Sequence, residues 1–297
     1  MKKIIAPKKL CFYDVRARLE TSEFINSLYK CDSVPVKIDF SSTEEITGAA
    51  AVFVFAHITH ISLCKNNAGY FIFDCKKSPI YKDTFIKKDF LKALRAGTAK
   101  KLDELAHDCL FQSGCAENLV EKRKNIMNTL KKLQEVKSDF QHSFKTIYPQ
   151  LHMAISEILI NINNHAYHGV NDKKRWWQLM WYDEEEKQFT LFIYDLGVGI
   201  EESYRNYATK KRATSIFSPL DELHYFKEAL QSGKSRFVGQ GRGFGLARII
   251  SLVENNDYLQ LLLFTKEFVY RGGQKIIYDK NDINVPGTLV ELNYTLP

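Results

Sequence analysis

Residues 239–247 read Gly-Gln-Gly-Arg-Gly-Phe-Gly-Leu-Ala, with glycine at the four alternate positions 239, 241, 243 and 245. The segment opens a predicted helix that runs to about Glu254. Backbone N–H groups exposed by such glycines at a helix N-terminus bind phosphate. No Gly-Lys-Ser/Thr follows, which excludes a P-loop, and the GxGxG spacing without a leading strand excludes the dinucleotide fingerprint. The segment therefore predicts a phosphate-binding turn, with a flexible linker as the alternative.

A second stretch, residues 156–166, reads Ser-Glu-Ile-Leu-Ile-Asn-Ile-Asn-Asn-His-Ala, within a helix predicted over about 149–167. Glu157 and Asn161 are four residues apart, so they share one helix face, and isoleucine and leucine occupy the other. A carboxylate can accept a proton, and an amide oxygen suits a hard cation such as Mg²⁺. The pair predicts a site for water and a divalent metal; a solvated polar face is the alternative.

The third stretch, residues 192–200, is an apolar strand that runs into Asp195-Leu-Gly197-Val-Gly199. Glycines allow the backbone to approach a ligand closely, and an aspartate at a strand end can accept a hydrogen bond from an exocyclic amine. An ordinary strand that ends in a glycine turn has the same pattern, and this alternative stays open for the stretch taken alone.

In this order the three stretches resemble the N, G1 and G2 boxes of the GHKL ATP-binding family. That family contains gyrase-type topoisomerases, heat-shock chaperone ATPases, histidine kinases, anti-sigma-factor serine kinases and mismatch-repair ATPases. The resemblance covers about residues 140–297, and Pro286-Gly287-Thr288 looks like the family's Gly-Thr strand near the adenine pocket. It implies a Bergerat-type α/β sandwich with helices on one face of a mixed sheet. It also implies an ATP lid between Gly199 and Gly239.

The resemblance implies a role for each matching residue. Glu157 would stand where the family's general base stands, and Asn161 would hold Mg²⁺ against the phosphates. Asp195 would accept a hydrogen bond from the adenine amino group. The other implied cofactor-binding residues are glycines that approach the nucleotide, cations beside its phosphates and one threonine: Gly197, Gly199, Gly241, Gly243, Gly245, Lys234, Arg236, Arg242 and Thr288. The implied cofactors are ATP and Mg²⁺.

Residues 1–96 resemble a STAS domain, the fold of anti-anti-sigma factors, through the segment 36–50. In that family a strand ending in aspartate leads to Asp-Ser-Ser-Gly, which opens a helix and contains the phosphorylated serine. Here Asp39 ends the strand, but the matching stretch is Thr47-Gly48-Ala49-Ala50, so the acceptor hydroxyl is absent. The resemblance implies a docking or sensing domain; an unrelated small α/β domain is the alternative.

Residues 97–139 are rich in lysine and glutamate, with leucine and isoleucine at helical spacing. They predict a helical linker between the two domains, which Ser113-Gly114 breaks into two helices. A structural linker and a dimerising helical pair explain the pattern equally well, so a homodimer is one alternative. His107-Asp108 is the nearest candidate for the phosphoacceptor of a histidine kinase, although its flanking residues match poorly.

Apolar patterning predicts the other elements. The predicted strands are 34–40, 69–75, 176–182, 189–194, 258–264, 267–271, 275–278 and 288–294. The predicted helices are 47–63, which is buried, and 83–94, which is amphipathic with Asp83 as N-cap and one stripe of Phe85, Ile86, Phe90, Leu91 and Leu94. Gly272-Gly273 predicts a hairpin turn.

Composition bounds the function classes. With 297 residues, 45% hydrophobic and 26% charged, the chain reads as a globular protein of one large or two ordinary domains. A net charge of +7 does not by itself indicate nucleic acid. The start has no secretory apolar region, and the most apolar run, 48–63, is too short to span a bilayer. Six cysteines without a CxxC pair predict neither a zinc site nor disulfides, which favours the cytoplasm.

Three functional interpretations follow. The first is an ATP-binding regulatory protein in which Glu157 activates water or a protein hydroxyl for γ-phosphoryl transfer, as an ATPase or as a serine/threonine kinase acting on a protein partner. The second is an ATP-gated binding module with negligible turnover. The third is a relative of the histidine kinases.

Overall fold

A computed structural model describes residues 1–32, 35–105, 110–115, 123–124, 126–128, 131, 138–167, 174–183, 185–205, 222–231, 245–272 and 277–296. Over these residues the chain is mixed α/β, as predicted. It divides into two compact units. The first comprises Met1–Gly114, Trp176–Trp181 and Phe192–Tyr194, and the second comprises Cys115–Arg175, Tyr182–Leu191 and Asp195–Pro297.

The elements follow one another along the chain with two π-helical segments, Tyr81–Lys87 and Ile162–Ala166. The strands are β1 (Lys2–Ile5), β2 (Lys9–Leu10), β3 (Val36–Asp39), β4 (Glu45–Ile46), β5 (Phe71–Asp74), β6 (Phe111–Cys115), β7 (Arg175–Asp183), β8 (Gln188–Asp195), β9 (Leu259–Gly272) and β10 (Ile277–Thr295). The helices are α1 (Val15–Tyr29), α2 (Gly48–Cys64), α3 (Phe90–Leu94), α4 (Ala99–Glu104), α5 (Ser138–Asn161), α6 (Glu222–Leu230) and α7 (Gly245–Glu254).

Three parallel strands in the order β1-β3-β5 form the main sheet of the first unit. Ile4 pairs with Ile38, which pairs with Phe73. Helix α1 connects β1 to β3, and α2 connects β3 to β5, because parallel strands need crossover connections. A short parallel pair, β2 with β4, lies outside this sheet.

Helix α2 is the buried helix that the sequence predicted over 47–63. It holds no Asp, Glu, Lys or Arg. Its side chains are apolar nearly all round, which is the pattern of a helix enclosed by its neighbours. It begins at Gly48, where a Cβ atom would lie 2.4 Å from the Phe192 ring. Within α2, His57 accepts or donates through both ring nitrogens: Nδ1 lies 2.8 Å from the Tyr29 hydroxyl and Nε2 lies 3.0 Å from the Tyr194 hydroxyl.

Two expectations for the first 115 residues are wrong. The predicted helix 83–94 is two pieces, the π-helical segment and α3, separated at Asp89, whose φ of 58° lies in the left-handed region. Asp83 is therefore inside the first piece and not its cap, and Ile86 is 49% exposed and does not belong to the buried stripe. Ser113-Gly114 does not break a helix but lies in β6, where the Ser113 hydroxyl donates to the Trp176 carbonyl at 2.8 Å.

A five-stranded sheet has the order β6-β7-β8-β10-β9. Strands β9 and β10 are antiparallel, with Leu263 opposite Val290, as the predicted hairpin requires. The separately predicted strands 258–264 and 267–271 are one strand, β9, while 275–278 and 288–294 fall mostly within β10. The pairing register shifts on both sides of Val285, which produces irregularities just before Thr288.

Helix α5 packs against α7, and α7 packs against β9. The predicted start of α5 at Pro149 is wrong: the helix begins at Ser138 and continues through that proline. Its buried side includes Leu151, Ile155 and Leu159. Within the described residues, no helix is both long enough and apolar enough to cross a membrane.

Candidate functional site

Helix α5 presents the two polar residues that the sequence singled out. Glu157 lies one turn before Asn161, the last residue of the helix, so the two side chains share a face. The Glu157 side chain is 17% exposed, and Asn161 is half-buried. The opposite side is apolar and buried, with Ile158 and Leu159 in the core. The solvated-face alternative therefore does not describe Glu157, which is largely enclosed.

The first turn of α7 lies against Glu157. A Cβ atom at Gly245 would lie 2.5 Å from Glu157 Oε2, so only glycine fits there with the carboxylate in its present position. Arg248 Nη1 donates to Glu157 Oε1 at 3.1 Å. The last glycine of the 239–245 run therefore meets the carboxylate of the second stretch at a helix N-terminus.

Asp195 ends β8 and is 3% exposed. The backbone N–H of Gly197 donates to Asp195 Oδ1 at 2.8 Å, and the backbone N–H of Thr288 also donates to this carboxylate. Burial raises the pKa of Asp195 to about 7, and the two backbone donors oppose that rise by favouring the charged form. A buried carboxyl that titrates near neutrality is typical of functional sites.

The loop after Asp195 approaches neighbouring backbone at glycines. A Cβ atom at Gly197 would lie 2.3 Å from the Ala166 carbonyl oxygen, which accepts a hydrogen bond from Val198 N–H at 2.7 Å. Gly287 has a φ of +76°, and a Cβ atom there would lie 1.9 Å from the Asp195 carbonyl oxygen. The backbone around Asp195 is thus packed from both sides at positions that a larger residue cannot occupy.

Tyr167, which directly follows the π-helical segment, makes hydrogen bonds to the loop after Asp195. Its hydroxyl accepts from Leu196 N–H at 3.1 Å and donates to the Arg175 carbonyl. Burial, and next the charge of Asp195, raise the pKa of this phenol well above its usual range. Sequence reasoning missed the role of Tyr167, which it placed only as the last residue of the helix predicted over about 149–167.

A second group supports Gly199, whose φ is +85°. The Thr265 hydroxyl accepts from Ile200 N–H at 3.0 Å and donates to Glu201 Oε2 at 2.9 Å. Burial raises the pKa of Glu201, whereas the Lys266 ammonium, which contacts Glu202 directly, lowers the pKa of Glu202. Sequence reasoning missed this group because β9 contributes Thr265 and Lys266 from a distant part of the chain, whereas Glu201 and Glu202 directly follow the third stretch.

The structure brings the predicted site residues together in two groups, both in the second unit. Glu157 and Gly245 meet where α5 packs on α7, with Asn161 one turn after Glu157 on α5, while Asp195, Gly197 and Thr288 meet at the end of β8. The predicted residues that lie outside the described residues are Lys234, Arg236, Gly241, Arg242 and Gly243, together with most of the predicted lid and His107. Arg248 was not predicted, although a cation in the first turn of a helix is unusual enough to indicate an anionic partner.

Neither a family model nor a curated protein matches the chain. Within the described residues, no three His, Cys, Asp or Glu side chains form a group that could hold a metal ion.

Proposed function

We propose that residues 140–297 form a GHKL-type domain that binds ATP with Mg²⁺ and transfers its γ-phosphoryl group to water or to a protein hydroxyl. The observation that supports this proposal best is that two glycine-containing segments pack against one continuous helical stretch, which consists of α5 and the π-helical segment Ile162–Ala166. Gly245 contacts Glu157 of α5, and Gly197 contacts Ala166 at the end of the π-helical segment. Nine residues separate these points, four of them in α5 and five in the π-helical segment, so the two glycine segments lie at different positions along the helical stretch, as the two ends of a nucleoside triphosphate require.

Asp195 is the proposed acceptor for the adenine amino group. Its charged form has four lone-pair positions, and the two backbone donors found for it leave acceptor capacity for a ligand. Gly197 and Gly287 keep the surrounding backbone close to Asp195, so larger side chains do not fit at these two positions. Thr288 acts through its backbone N–H, which holds the carboxylate in position.

The residues at the other end fit a magnesium-bound triphosphate. Mg²⁺ is usually held by one or two protein oxygens together with phosphates and waters, and Asn161 supplies an amide oxygen on the helix face that Glu157 shares. ATP with Mg²⁺ would supply the reactive γ-phosphoryl group. Asn161 would bind the metal, the α7 N-terminus would bind phosphate oxygens, and Glu157 would orient and deprotonate the nucleophile.

The wider assignment is also proposed. We infer a regulatory protein of the cytoplasm in which the first unit docks a protein partner or senses a signal, following its STAS resemblance. Among the described residues, Cys11, Cys31, Cys75 and Cys115 are free thiols, which suits a reducing compartment. Hydrolysis and serine/threonine phosphorylation are two outcomes of the same site, with a homodimer through residues 97–139 as one arrangement.

Two variants test the proposal with the full chain and γ-³²P-labelled ATP. Glu157→Ala should keep nucleotide binding and lose turnover by about 10²–10⁴-fold, while Asn161→Ala should lose Mg²⁺-dependent binding as well. Free phosphate indicates an ATPase, labelled serine or threonine on a co-purified partner indicates a kinase, and acid-labile label indicates a histidine kinase. A Glu157→Ala variant with wild-type turnover would contradict the catalytic role.

A second candidate function is the ATP-gated binding module. The pairing of Glu157 with Arg248 favours it, since this ion pair gives the carboxylate a role in holding α5 against α7. Binding of ATP by the wild type, with no turnover in the presence of any partner tried, would support the gate and leave Glu157 a structural role.

A further inference from the structure

We propose that Arg248 is the residue that distinguishes triphosphate from diphosphate nucleotides, by exchanging Glu157 for the terminal phosphate when ATP binds. This inference rests on the proposed function. It assigns the nucleotide specificity of that site to a residue that the sequence did not predict as part of it. The contact that supports it is the hydrogen bond from Arg248 Nη1 to Glu157 Oε1 at 3.1 Å.

The position of Arg248 is electrostatically unusual. It is the fourth residue of α7, within the first turn, where the helix dipole favours anions and disfavours cations. The carboxylate of Glu157 neutralises it there, from a side chain that is only 17% exposed. Because helical side chains point back toward the N-terminus, the guanidinium covers the first turn instead of leaving it.

Arg248 also retains the freedom to exchange partners. Its side chain is 58% exposed, whereas Glu157 is held between α5 and Gly245. A guanidinium binds phosphate oxygens in a planar, bidentate geometry, and a terminal phosphate has more negative charge than one carboxylate. A triphosphate at the α7 N-terminus therefore competes with Glu157 for Arg248, and a diphosphate, one phosphate shorter, competes less.

The exchange has a consequence for catalysis. When Arg248 contacts the terminal phosphate, the Glu157 carboxylate is released from its ion pair and is free to contact the nucleophile while a triphosphate is bound. Arg248 is thus expected to contribute to binding of the triphosphate and to the release of the Glu157 carboxylate. It is not expected to contribute to the contacts of Asp195 with adenine.

Calorimetry on the full chain tests this with two probes, the β,γ-imido analogue of ATP and ADP, each with Mg²⁺. Arg248→Ala should weaken the triphosphate analogue by about 10- to 100-fold, the usual value of a hydrogen bond to a charged group, and ADP by less than about threefold. Arg248→Lys, which preserves the charge, should recover part of the difference. Lys187→Ala removes one exposed cation at the opposite end of β8 and should change neither affinity.

Glu157→Gln provides the second arm. It should strengthen the triphosphate analogue several-fold by releasing Arg248, and the double variant Glu157→Gln with Arg248→Ala should bind like Arg248→Ala alone. Thermal unfolding of each variant confirms folding. Equal losses for both nucleotides, or a Glu157→Gln effect that persists without Arg248, would overturn the inference while the proposed function stands. A folded wild type that binds neither nucleotide would overturn both.

Discussion

His57 in the first unit and Asp195 in the second are both buried titratable side chains, and their surroundings differ in one respect. His57 is 1% exposed and Asp195 is 3% exposed. The neutral imidazole has one donor and one acceptor, and the hydroxyls of Tyr29 and Tyr194 use both. Asp195 has acceptor capacity beyond the two backbone donors that the described residues provide.

The difference separates a structural group from a candidate binding group. Burial lowers the pKa of His57 to about 3, so this histidine is neutral throughout the physiological range and fixes the packing of α2. Burial raises the pKa of Asp195 to about 7, so its charge changes where a cell operates. A buried group whose hydrogen bonds are all used internally stabilises the fold, whereas one with unused capacity suits a ligand.

The largest expected effect is a loss of stability caused by changing the backbone that packs against Asp195. Gly287→Ala should reduce the free energy of unfolding by about 3–5 kcal/mol, because its Cβ atom would lie 1.9 Å from the Asp195 carbonyl oxygen at a φ of +76°. Gly69→Ala is the matched control: its Cβ atom would meet only the Asn67 side chain at 3.5 Å. Denaturant unfolding measures both, and equal losses would contradict the close approach around Asp195.

The next largest effect is the loss of stability expected when His57 is replaced. His57→Ala should cost about 3 kcal/mol of unfolding free energy, because it leaves a cavity and removes the partner of the Tyr194 hydroxyl. Nucleotide affinity should not change if His57 is structural. His152→Ala, a half-buried histidine on α5, is the control for stability and should cost far less. A His57→Ala variant that folds normally but loses nucleotide affinity would place this histidine in the site.

The two regions also differ in how far sequence could predict them. The apolar run of α2 and the strands β7 and β8 were predicted within a few residues, because burial on all sides or alternation along a strand leaves a local signal. Helix α1 was not predicted. Ser113-Gly114 has the composition of a helix breaker, yet it lies in a strand, since pairing with a neighbouring strand overrides local preference.

For the candidate site, sequence identified residue types and order but not contacts. Asp195 was chosen for its place at a strand end, and only the structure reveals that Thr288, ninety-three positions later, donates to it through its backbone. The ion pair of Glu157 with Arg248 joins residues ninety-one positions apart. Such long-range contacts depend on how helices and strands pack, which no local pattern encodes.

A smaller effect sharpens the comparison through pH. The pKa of Asp195 is raised by folding, so the folded state binds the proton more tightly and stability falls as pH rises from about 4 to about 7. Asp195→Asn removes this pH dependence, so the stability of the variant relative to wild type should rise by about 2.5 kcal/mol between pH 5 and pH 8. The His57 term has the opposite sign: its lowered pKa makes wild-type stability fall as pH drops below about 6.5. Thermal unfolding across this range checks both slopes, and parallel curves for Asp195→Asn and wild type would contradict the raised pKa.

The smallest expected effect concerns the ligand itself. If Asp195 accepts a hydrogen bond from the adenine amino group, its charged form is the binding form, and the charged fraction falls about tenfold between pH 8 and pH 6 for a pKa near 7. Adenosine is the right probe because, unlike ATP, it has no phosphate that titrates in this range. Its affinity should fall by about tenfold over these two pH units. His57→Phe should leave that ratio unchanged, since His57 stays neutral at both pH values and its hydrogen bonds are internal to the first unit. Affinity that is independent of pH, with Asp195→Asn binding as well as wild type, would remove Asp195 from the nucleotide site and make its burial, like that of His57, a property of the fold alone.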